Sequence, residues 1–252
     1  MFFENRKQKK FDQLNAEQRL GASLITVTKP NDTVSEQFRT IRTNIQFSMV
    51  DQDFKTLMFT SSAVWEGKST VAANVASVMA DLGLRVLLVD ADMRKPTVHK
   101  TFNLEGNTQG LTSLLTNRDL SLTDTIQFVQ EANVYILPAG PTPPNPSELL
   151  GSNRMQEVMQ ELEELFDLVI FDTPPILAVT DGQIIASRVD GVIVVVREGV
   201  AEKNNVKKSK ELLDVVNANV IGAVYNGADA KKTHGYGYGY GYGYSYGEGE
   251  KQ

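Results

Sequence analysis

Short aliphatic runs alternate with helix-type patterns along most of this chain, and the alternation restricts the possible folds more than any other feature. Buried strands are predicted at 56–60, 85–90, 134–138, 167–172, 192–197 and 220–225. Apolar positions at spacings of three and four predict a helix over 71–82 that ends at Gly83, and further helices are expected over 147–165 and 201–216. The sequence therefore predicts an α/β fold in which helices flank a mainly parallel sheet and ligands bind at the carboxyl ends of the strands.

The charge balance and the lack of cysteine exclude several classes of function. Because 25 basic residues face 31 acidic ones, the formal charge is -6, and a general nucleic-acid-binding role is not expected. With no cysteine there are neither disulfides nor thiolate metal sites. No apolar leader follows the basic N-terminus, and the longest aliphatic run, 192–196, is far shorter than the roughly 20 residues of a membrane helix. We therefore expect a cytoplasmic protein whose membrane contact is peripheral.

Composition divides the chain into three parts. Residues 1–20 are polar and charged, and they are predicted to form a mobile arm that is either solvated or in contact with anionic lipid. Residues 21–228 carry the alternating pattern and are predicted to form one domain. Residues 229–252 contain no Leu, Ile, Val or Phe, so this tail cannot build a core and is predicted to be disordered.

A phosphate-binding loop is predicted between the first strand and the first helix. Its residues are Ser62, Ala63, Val64, Trp65, Glu66, Gly67, Lys68, Ser69 and Thr70. Backbone N–H groups at a helix start favour phosphate, Lys68 can neutralise the β and γ phosphates, and the Ser69 hydroxyl can ligate Mg²⁺. Since Ser62 replaces the first glycine of the motif, the loop alone is weak evidence for a nucleotide site.

Three aspartates at predicted strand ends strengthen the nucleotide-site interpretation. Asp90 and Asp92 end the second strand two residues apart, a spacing that places both carboxylates on one side of an extended segment. Asp172 ends a later strand, where its carboxylate can reach Mg²⁺ directly or through water. A single strand-end aspartate is often a solvated turn former. Three of them together with Gly67-Lys68-Ser69 favour a site for ATP or ADP with Mg²⁺.

The tail holds a cluster of tyrosines whose phenols are candidate acceptors for a phosphate of the bound nucleotide. Six of the eight tyrosines lie there, each separated from the next by one residue: Tyr236, Tyr238, Tyr240, Tyr242, Tyr244 and Tyr246. A low-complexity linker is the alternative interpretation. A flexible segment of about 15 residues has an r.m.s. span of ~20 Å, which allows phenols to reach their own site or a neighbour's.

Together these stretches resemble the bacterial tyrosine kinases of capsule and exopolysaccharide synthesis, in the form in which the kinase is separate from its membrane activator. The family's Walker A, Walker A′ and Walker B motifs match 62–69, 90–94 and 171–175, and further matches lie at 110–115 and 138–150. The resemblance implies a P-loop fold of the partitioning and cell-division ATPase type. It also implies an ATP-dependent protein-tyrosine kinase that autophosphorylates its tyrosine cluster in trans and regulates polysaccharide synthesis and export.

The resemblance also implies residue roles. Asp90 is the expected base for the phenol, Asp92 and Asp172 would organise Mg²⁺ with Ser69, and Lys68 would stabilise charge on the transferred group. Asn226 is counted among the nucleotide-binding residues.

A further motif of the family predicts self-association. Glu36, Arg39 and Arg42 lie at three-residue steps on one face of a helix, which the sequence alone would assign to a solvated surface. The resemblance assigns them to the interface of a ring-shaped homo-oligomer such as an octamer. It further implies a membrane activator of the polysaccharide co-polymerase type, a phosphotyrosine phosphatase, and a location at the inner face of the membrane through the activator.

The phosphate loop departs from the family at Val64 and Trp65, where Pro and Gly are usual. Because Gly permits φ > 0, a Trp in the same conformation is expected to be strained and to alter nucleotide affinity or turnover. The departure keeps a regulatory subunit with trapped nucleotide open as an alternative. A second alternative is a partitioning-type ATPase switch without kinase activity, although the early loop lysine usual in that class is missing.

Overall fold

The computed structural model describes residues 21–49, 54–104 and 109–228. The predicted arm and the tail with its six tyrosines lie outside these residues. Within them, seven strands form one sheet in the order β3-β4-β2-β5-β1-β6-β7. All neighbours pair in parallel except β3, which is antiparallel to β4 at one edge. The predicted α/β fold with a mainly parallel sheet is confirmed.

The strands are β1 Thr56–Ser61, β2 Val86–Asp90, β3 Gln127–Val129, β4 Val134–Leu137, β5 Leu168–Asp172, β6 Gly191–Arg197 and β7 Val220–Asn226. The helices are α1 Ile25–Thr28, α2 Thr33–Met49, α3 Lys68–Ala80, α4 Val98–Thr101, α5 Leu111–Thr116, α6 Pro146–Gly151, α7 Asn153–Leu165, α8 Asp181–Ala186 and α9 Lys203–Val215, with a 3₁₀ turn at Leu122–Asp124.

Helices cover both faces of the sheet, so the central strands are apolar on both sides. In β2, Leu87 and Val89 join the core on one face while Val86 and Leu88 join the core on the other. This two-sided burial explains why the strands appear in the sequence as continuous aliphatic runs rather than alternating patterns. α3 is rich in alanine and buried over its last ten residues, which brings its axis close to the sheet.

All six predicted strands are present, but β7, which was predicted to be buried, lies at the edge of the sheet and is partly exposed. The helix predicted over 147–165 is two helices. Ser152 has an extended backbone between α6 and α7, and its hydroxyl accepts the N–H of Met155 at 3.2 Å. This N-cap starts a new helix where the apolar spacing suggested continuation. The edge strand β3 has only three residues and was not predicted. In the described part of the chain, no helix is long and apolar enough to cross a bilayer.

Candidate nucleotide and phosphoryl-transfer site

A cavity of about 690 Å³ lies at the carboxyl ends of the parallel strands, where the fold was expected to bind its ligand. Nine of the predicted site residues line it: Ala63, Val64, Trp65, Gly67, Lys68, Ser69, Thr70, Asp92 and Asn226. The other predicted residues of the phosphate loop and strand ends are buried and do not line it: Ser62, Glu66, Asp90 and Asp172. The structure thus brings the predicted loop and the predicted acids to one place.

The phosphate loop follows β1 and is held in shape by its own buried glutamate. Glu66 is 1% exposed, and its Oε1 accepts the backbone N–H of Ala63 at 2.8 Å and the hydroxyl of Ser62. Burial raises the pKa of Glu66, although these hydrogen bonds oppose the shift. Ser62, which stands where the motif usually has its first glycine, therefore helps to organise the loop.

The end of the loop is attached to the last two strands of the sheet. Trp65 has φ of 71°, so the expected left-handed conformation is present at this non-glycine residue. Its carbonyl accepts a hydrogen bond from Arg197 at 3.2 Å, and Asn226 donates to the carbonyl of Glu66 at 3.0 Å. Gly67 has φ of 88°, and a Cβ there would lie 2.3 Å from Nδ2 of Asn226. These contacts fix the backbone immediately before α3.

Lys68 is the centre of the charged cluster. Its Nζ lies 3.2 Å from Oδ2 of Asp92, 3.3 Å from Oδ1 of Asp172 and 3.2 Å from the hydroxyl of Ser69. Burial acts to lower the pKa of Lys68, but the charges of Asp172, Asp92 and Asp90 outweigh it and raise the pKa above its usual range. Lys68 is therefore the counter-ion of the acids in this structure.

Asp90 lies beneath the cavity wall. β2 ends at this residue, which pairs in register with Asp172 of β5. Its Oδ1 accepts the N–H of Asp92 at 3.2 Å, while its Oδ2 accepts the N–H groups of Thr97 at 3.1 Å and Val98 at 3.0 Å. Burial, together with the charges of Asp172 and Asp92, raises the pKa of Asp90 to about 8. Asp90 therefore supports the turn into α4 as well as carrying titratable charge.

The acids fit a magnesium ion that also binds phosphate. Oδ2 of Asp172 is buried and has no hydrogen-bond partner among the residues that the structure describes, which leaves a lone pair for a further ligand. Those residues hold no ready-made cluster of three or more acidic or histidine metal ligands. Mg²⁺ commonly takes one or two carboxylates and completes its shell with phosphate and water, so the predicted set of Ser69, Asp92 and Asp172 matches its requirements.

Sequence reasoning assigned no role to several residues around the cavity, although Arg94 and part of the loop 174–179 lie within the matched motifs. Arg94, Lys95 and Arg197 line it, as do 21–23 and the loop 174–179 in part. Arg94 follows the Asp-x-Asp pair and Arg197 ends β6, so basic residues at strand ends were the available signal. Asp181 is buried and binds Arg94 from a distant part of the chain, and no local pattern marks it.

The residues predicted to form an oligomer interface lie on α2. Glu36 and Arg39 form an ion pair, and Arg39 also donates to the carbonyl of Pro30 at 2.9 Å. Arg42 donates to the carbonyl of Val78 in α3 at 2.9 Å. The three side chains thus have partners within the chain, and their role between chains stays a prediction.

Comparisons with known proteins agree with the site. A family profile described as an AAA domain matches residues 64–218. Tyrosine-protein kinase YwqD of Bacillus subtilis is 48% identical over 222 residues, covering 88% of this chain and 93% of that protein. The kinase domain of Escherichia coli tyrosine kinase ETK superposes with a TM-score of 0.80 at 32% identity, covering 88% of this chain and 86% of that one. The chimerical protein CapA2B2 superposes with a TM-score of 0.76 at 40% identity, covering 82% of this chain and 92% of that one.

The fold, the phosphate loop and the strand-end acids define a P-loop ATPase-type domain of the α/β class. Within that class the chain belongs to the bacterial tyrosine-protein kinases. The resemblance inferred from the motifs and the prediction of a protein-tyrosine kinase are confirmed at the level of the family. The partitioning-type ATPase is therefore not the class that these relatives define.

Proposed function

We propose that this chain transfers the γ-phosphoryl group of ATP, bound with Mg²⁺, to tyrosines of its own C-terminal cluster, and that the reaction occurs between neighbouring chains. The observation that carries the proposal is the position of Lys68. It begins α3, lines the cavity, and sits within 3.3 Å of both Asp92 and Asp172. A cation suited to phosphate and acids suited to magnesium therefore lie together at a helix N-terminus, which supports the proposal.

The charge of the cavity wall suits a nucleoside triphosphate. Lys68, Arg94, Lys95 and Arg197 line the cavity, and the described residues contribute one acid, Asp92, to the same lining. An excess of positive charge in a concave site attracts polyphosphate and offsets its repulsion. Upon nucleotide binding, Lys68 would exchange its contacts with the acids for contacts with the β and γ phosphates.

Ser69, Asp92 and Asp172 are the residues that would hold magnesium. Its chemical contribution there is to neutralise charge on the phosphate oxygens. The buried and unpartnered Oδ2 of Asp172 supports this set. Once Lys68 turns to the phosphates, the acids lose their positively charged partner, and a divalent cation would take its place.

The acceptor is a phenol, which needs a base at neutral pH because its ordinary pKa is ~10. The phenol oxygen bonds to the γ phosphorus as the bond to the β,γ-bridging oxygen breaks, and ADP leaves with the electron pair. We assign the phenolic proton to Asp90, from which it passes to water. With a pKa of about 8, Asp90 holds its own proton at neutral pH. It can therefore act as base only after the positive charge of bound magnesium has lowered this pKa.

The cellular role is proposed from the family. Six tyrosines on one flexible tail are suited to successive modification, and a ring formed through Glu36, Arg39 and Arg42 would place each tail near a neighbouring site. We propose that a membrane protein of the polysaccharide co-polymerase type activates the kinase at the inner face of the membrane. The phosphorylation cycle, reversed by a phosphatase, would then regulate capsular or exopolysaccharide synthesis.

The test mixes two full-length chains with labelled ATP and Mg²⁺. Lys68→Met removes the charge at the transferring phosphate, so alone it should show no phosphotyrosine. Wild-type enzyme should nevertheless label the Lys68→Met chain, and removal of 229–252 from that acceptor should abolish its label. Labelling of Lys68→Met by itself would contradict the assigned site. Failure of wild type to label an inactive acceptor would contradict transfer in trans.

A second comparison tests the base. Asp90→Asn should retain Mg-ATP binding while losing transfer, whereas Asp92→Asn should weaken both because Asp92 is assigned to magnesium. Equal losses of binding and transfer in Asp90→Asn would count against the role of Asp90 as base. Mg-ATP affinity measured by titration, beside initial rates on the Lys68→Met acceptor, separates the two.

A further inference from the structure

A buried carboxylate outside the mechanism described so far holds a cavity arginine in place. Asp181 is fully buried in the first turn of α8. Its Oδ2 accepts from Nε of Arg94 at 2.9 Å, and its Oδ1 accepts from NH2 of Arg94 at 3.0 Å. This two-bond contact fixes the plane of the guanidinium, which a single bond would leave free to rotate.

A serine completes the arrangement from a third segment. The hydroxyl of Ser147, in α6, donates to Oδ1 of Asp181 at 2.7 Å and accepts from NH2 of Arg94 at 3.1 Å. Thr180 in turn donates to Ser147 at 3.3 Å. The loop after β2, the start of α6 and the start of α8 are therefore joined at one point beside the cavity.

Counting the donors of Arg94 shows what remains for a ligand. A guanidinium has five N–H groups. Asp181 and Ser147 take the N–H of Nε and both of those on NH2. No acceptor in the described ranges takes the two N–H groups of NH1. The side chain of Arg94 is 39% exposed and lines the cavity. The two donors of NH1 are therefore the ones left for a ligand of the cavity.

We propose that NH1 of Arg94 donates to the oxygens of the phosphoryl group during transfer, and that Asp181 and Ser147 are positioning residues for it. The inference rests on the proposed kinase reaction and adds a second cation to Lys68. Asp92 pairs with Lys68 at 3.2 Å, Arg94 follows Asp92 by two residues in the chain, and all three side chains line the same cavity. The two cations would contact the transferring group from two segments, Lys68 from the start of α3 and Arg94 from the loop after β2.

The physical reason for such an arginine is the charge distribution of phosphoryl transfer. In the transition state, negative charge spreads over three equatorial oxygens, and fixed donors stabilise it without reorganising. A guanidinium with its plane fixed by a buried partner is already organised for this purpose. A lysine at the same place would keep the charge but lose the fork geometry.

The test uses full-length variants as enzymes and the Lys68→Met chain as acceptor. We expect Arg94→Lys to lower kcat by about tenfold or more, while KM for ATP stays within about threefold. Asp181→Asn and Ser147→Ala should lower kcat in the same direction. If Asp181 acts through Arg94, the double variant Arg94→Lys with Asp181→Asn should have nearly the same kcat as Arg94→Lys alone. If Asp181 has a separate structural effect, the fold-losses in kcat of the two single variants should multiply in the double variant.

Arg85→Lys is a matched control. Arg85 also contacts a carboxylate through Nε and NH2, with Asp167 at 3.4 and 3.1 Å, but it precedes β2 at the opposite end of the strand. Its substitution should leave kcat unchanged. Should Asp181→Asn fail to fold, Arg94→Lys and Ser147→Ala still decide the question, with thermal unfolding as the check on integrity.

Two outcomes would overturn the inference: normal kcat in Arg94→Lys, or losses that appear in KM for ATP with kcat preserved. The wild-type enzyme shows whether a negative result refutes the role of Arg94 or the proposed kinase reaction. If wild type does not label the acceptor, the kinase proposal has failed. If wild type labels it and Arg94→Lys labels it equally well, only the role of Arg94 has failed.

Discussion

Replacing Asp90 with Asn should remove most of a pH dependence of stability that this site builds into the ligand-free chain. Burial, with the charges of Asp172 and Asp92, raises the pKa of Asp90 from 3.8 to about 8 in the folded state. Between those values the folded chain holds a proton that the unfolded chain has released, so stability falls as the pH rises towards the folded pKa. With a folded-state pKa near 8, this proton linkage lowers the free energy of unfolding by ~2 kcal/mol between pH 6 and pH 8.

The assay is urea unfolding at pH 6, 7 and 8 without nucleotide or Mg²⁺, comparing wild type, Asp90→Asn and Asp119→Asn. The amide nitrogen that Asp90→Asn introduces cannot accept the backbone N–H groups that one carboxylate oxygen now accepts, so the variant should be less stable at pH 6 by roughly 1–3 kcal/mol. The difference should shrink towards pH 8 as wild type loses stability. Exposed Asp119 loses the same formal charge and should leave the slope unchanged. Parallel slopes for wild type and Asp90→Asn would refute the reasoning.

Three further predictions concern the loop and the interface. Gly67→Ala should destabilise the chain by about 1–3 kcal/mol and weaken ATP binding, since residue 67 has φ of 88° and a Cβ would meet Asn226 at 2.3 Å; unfolding and nucleotide titration measure both, and an unchanged variant contradicts it. Trp65→Gly should relieve the strain of φ at 71° and raise nucleotide affinity or turnover, and weaker binding would refute this. The double variant Arg39→Ala with Arg42→Ala should be monomeric by light scattering, and full tail phosphorylation should have the same effect because it adds negative charge. An unchanged oligomer mass in the double variant would contradict the interface, and an unchanged mass after phosphorylation would contradict dispersal by charge.

The parts of this fold that the sequence predicted are those specified by local pattern. Burial on both faces makes each central strand a continuous aliphatic run. All six predicted strands, including the partly exposed edge strand β7, were located to within two residues at each end. The phosphate loop and its helix follow β1 directly, and the strand-end acids cluster because parallel strands end at one edge. The left-handed conformation at Trp65 was also predictable, because only the position of a usual glycine was needed.

The parts that the sequence did not predict depend on contacts between distant segments. Arg94 and Asp181 are 87 residues apart, and Asn226 lies 160 residues from the carbonyl of Glu66 that it binds. No pattern within a single segment encodes such pairs. The break at Ser152 has a different cause, since the apolar spacing continues through a residue whose side chain starts a new helix. The tyrosine tail lies outside the described residues, so its role as substrate stays a prediction.

If the site binds nucleotide and magnesium as proposed, its charges would make the binding of the two interdependent. Lys68 offsets the charge of the acids, with its ammonium 3.2 Å from Asp92 and 3.3 Å from Asp172. If Lys68 turned to the phosphates with no metal present, two ionised carboxylates would lose their counter-ion, and Asp172 would be left fully buried. If a metal bound without nucleotide, Lys68 would face a cation with no phosphate to compensate it. Each ligand therefore removes an electrostatic cost that the other would otherwise meet, which is a physical reason for a kinase of this design to bind ATP and magnesium together.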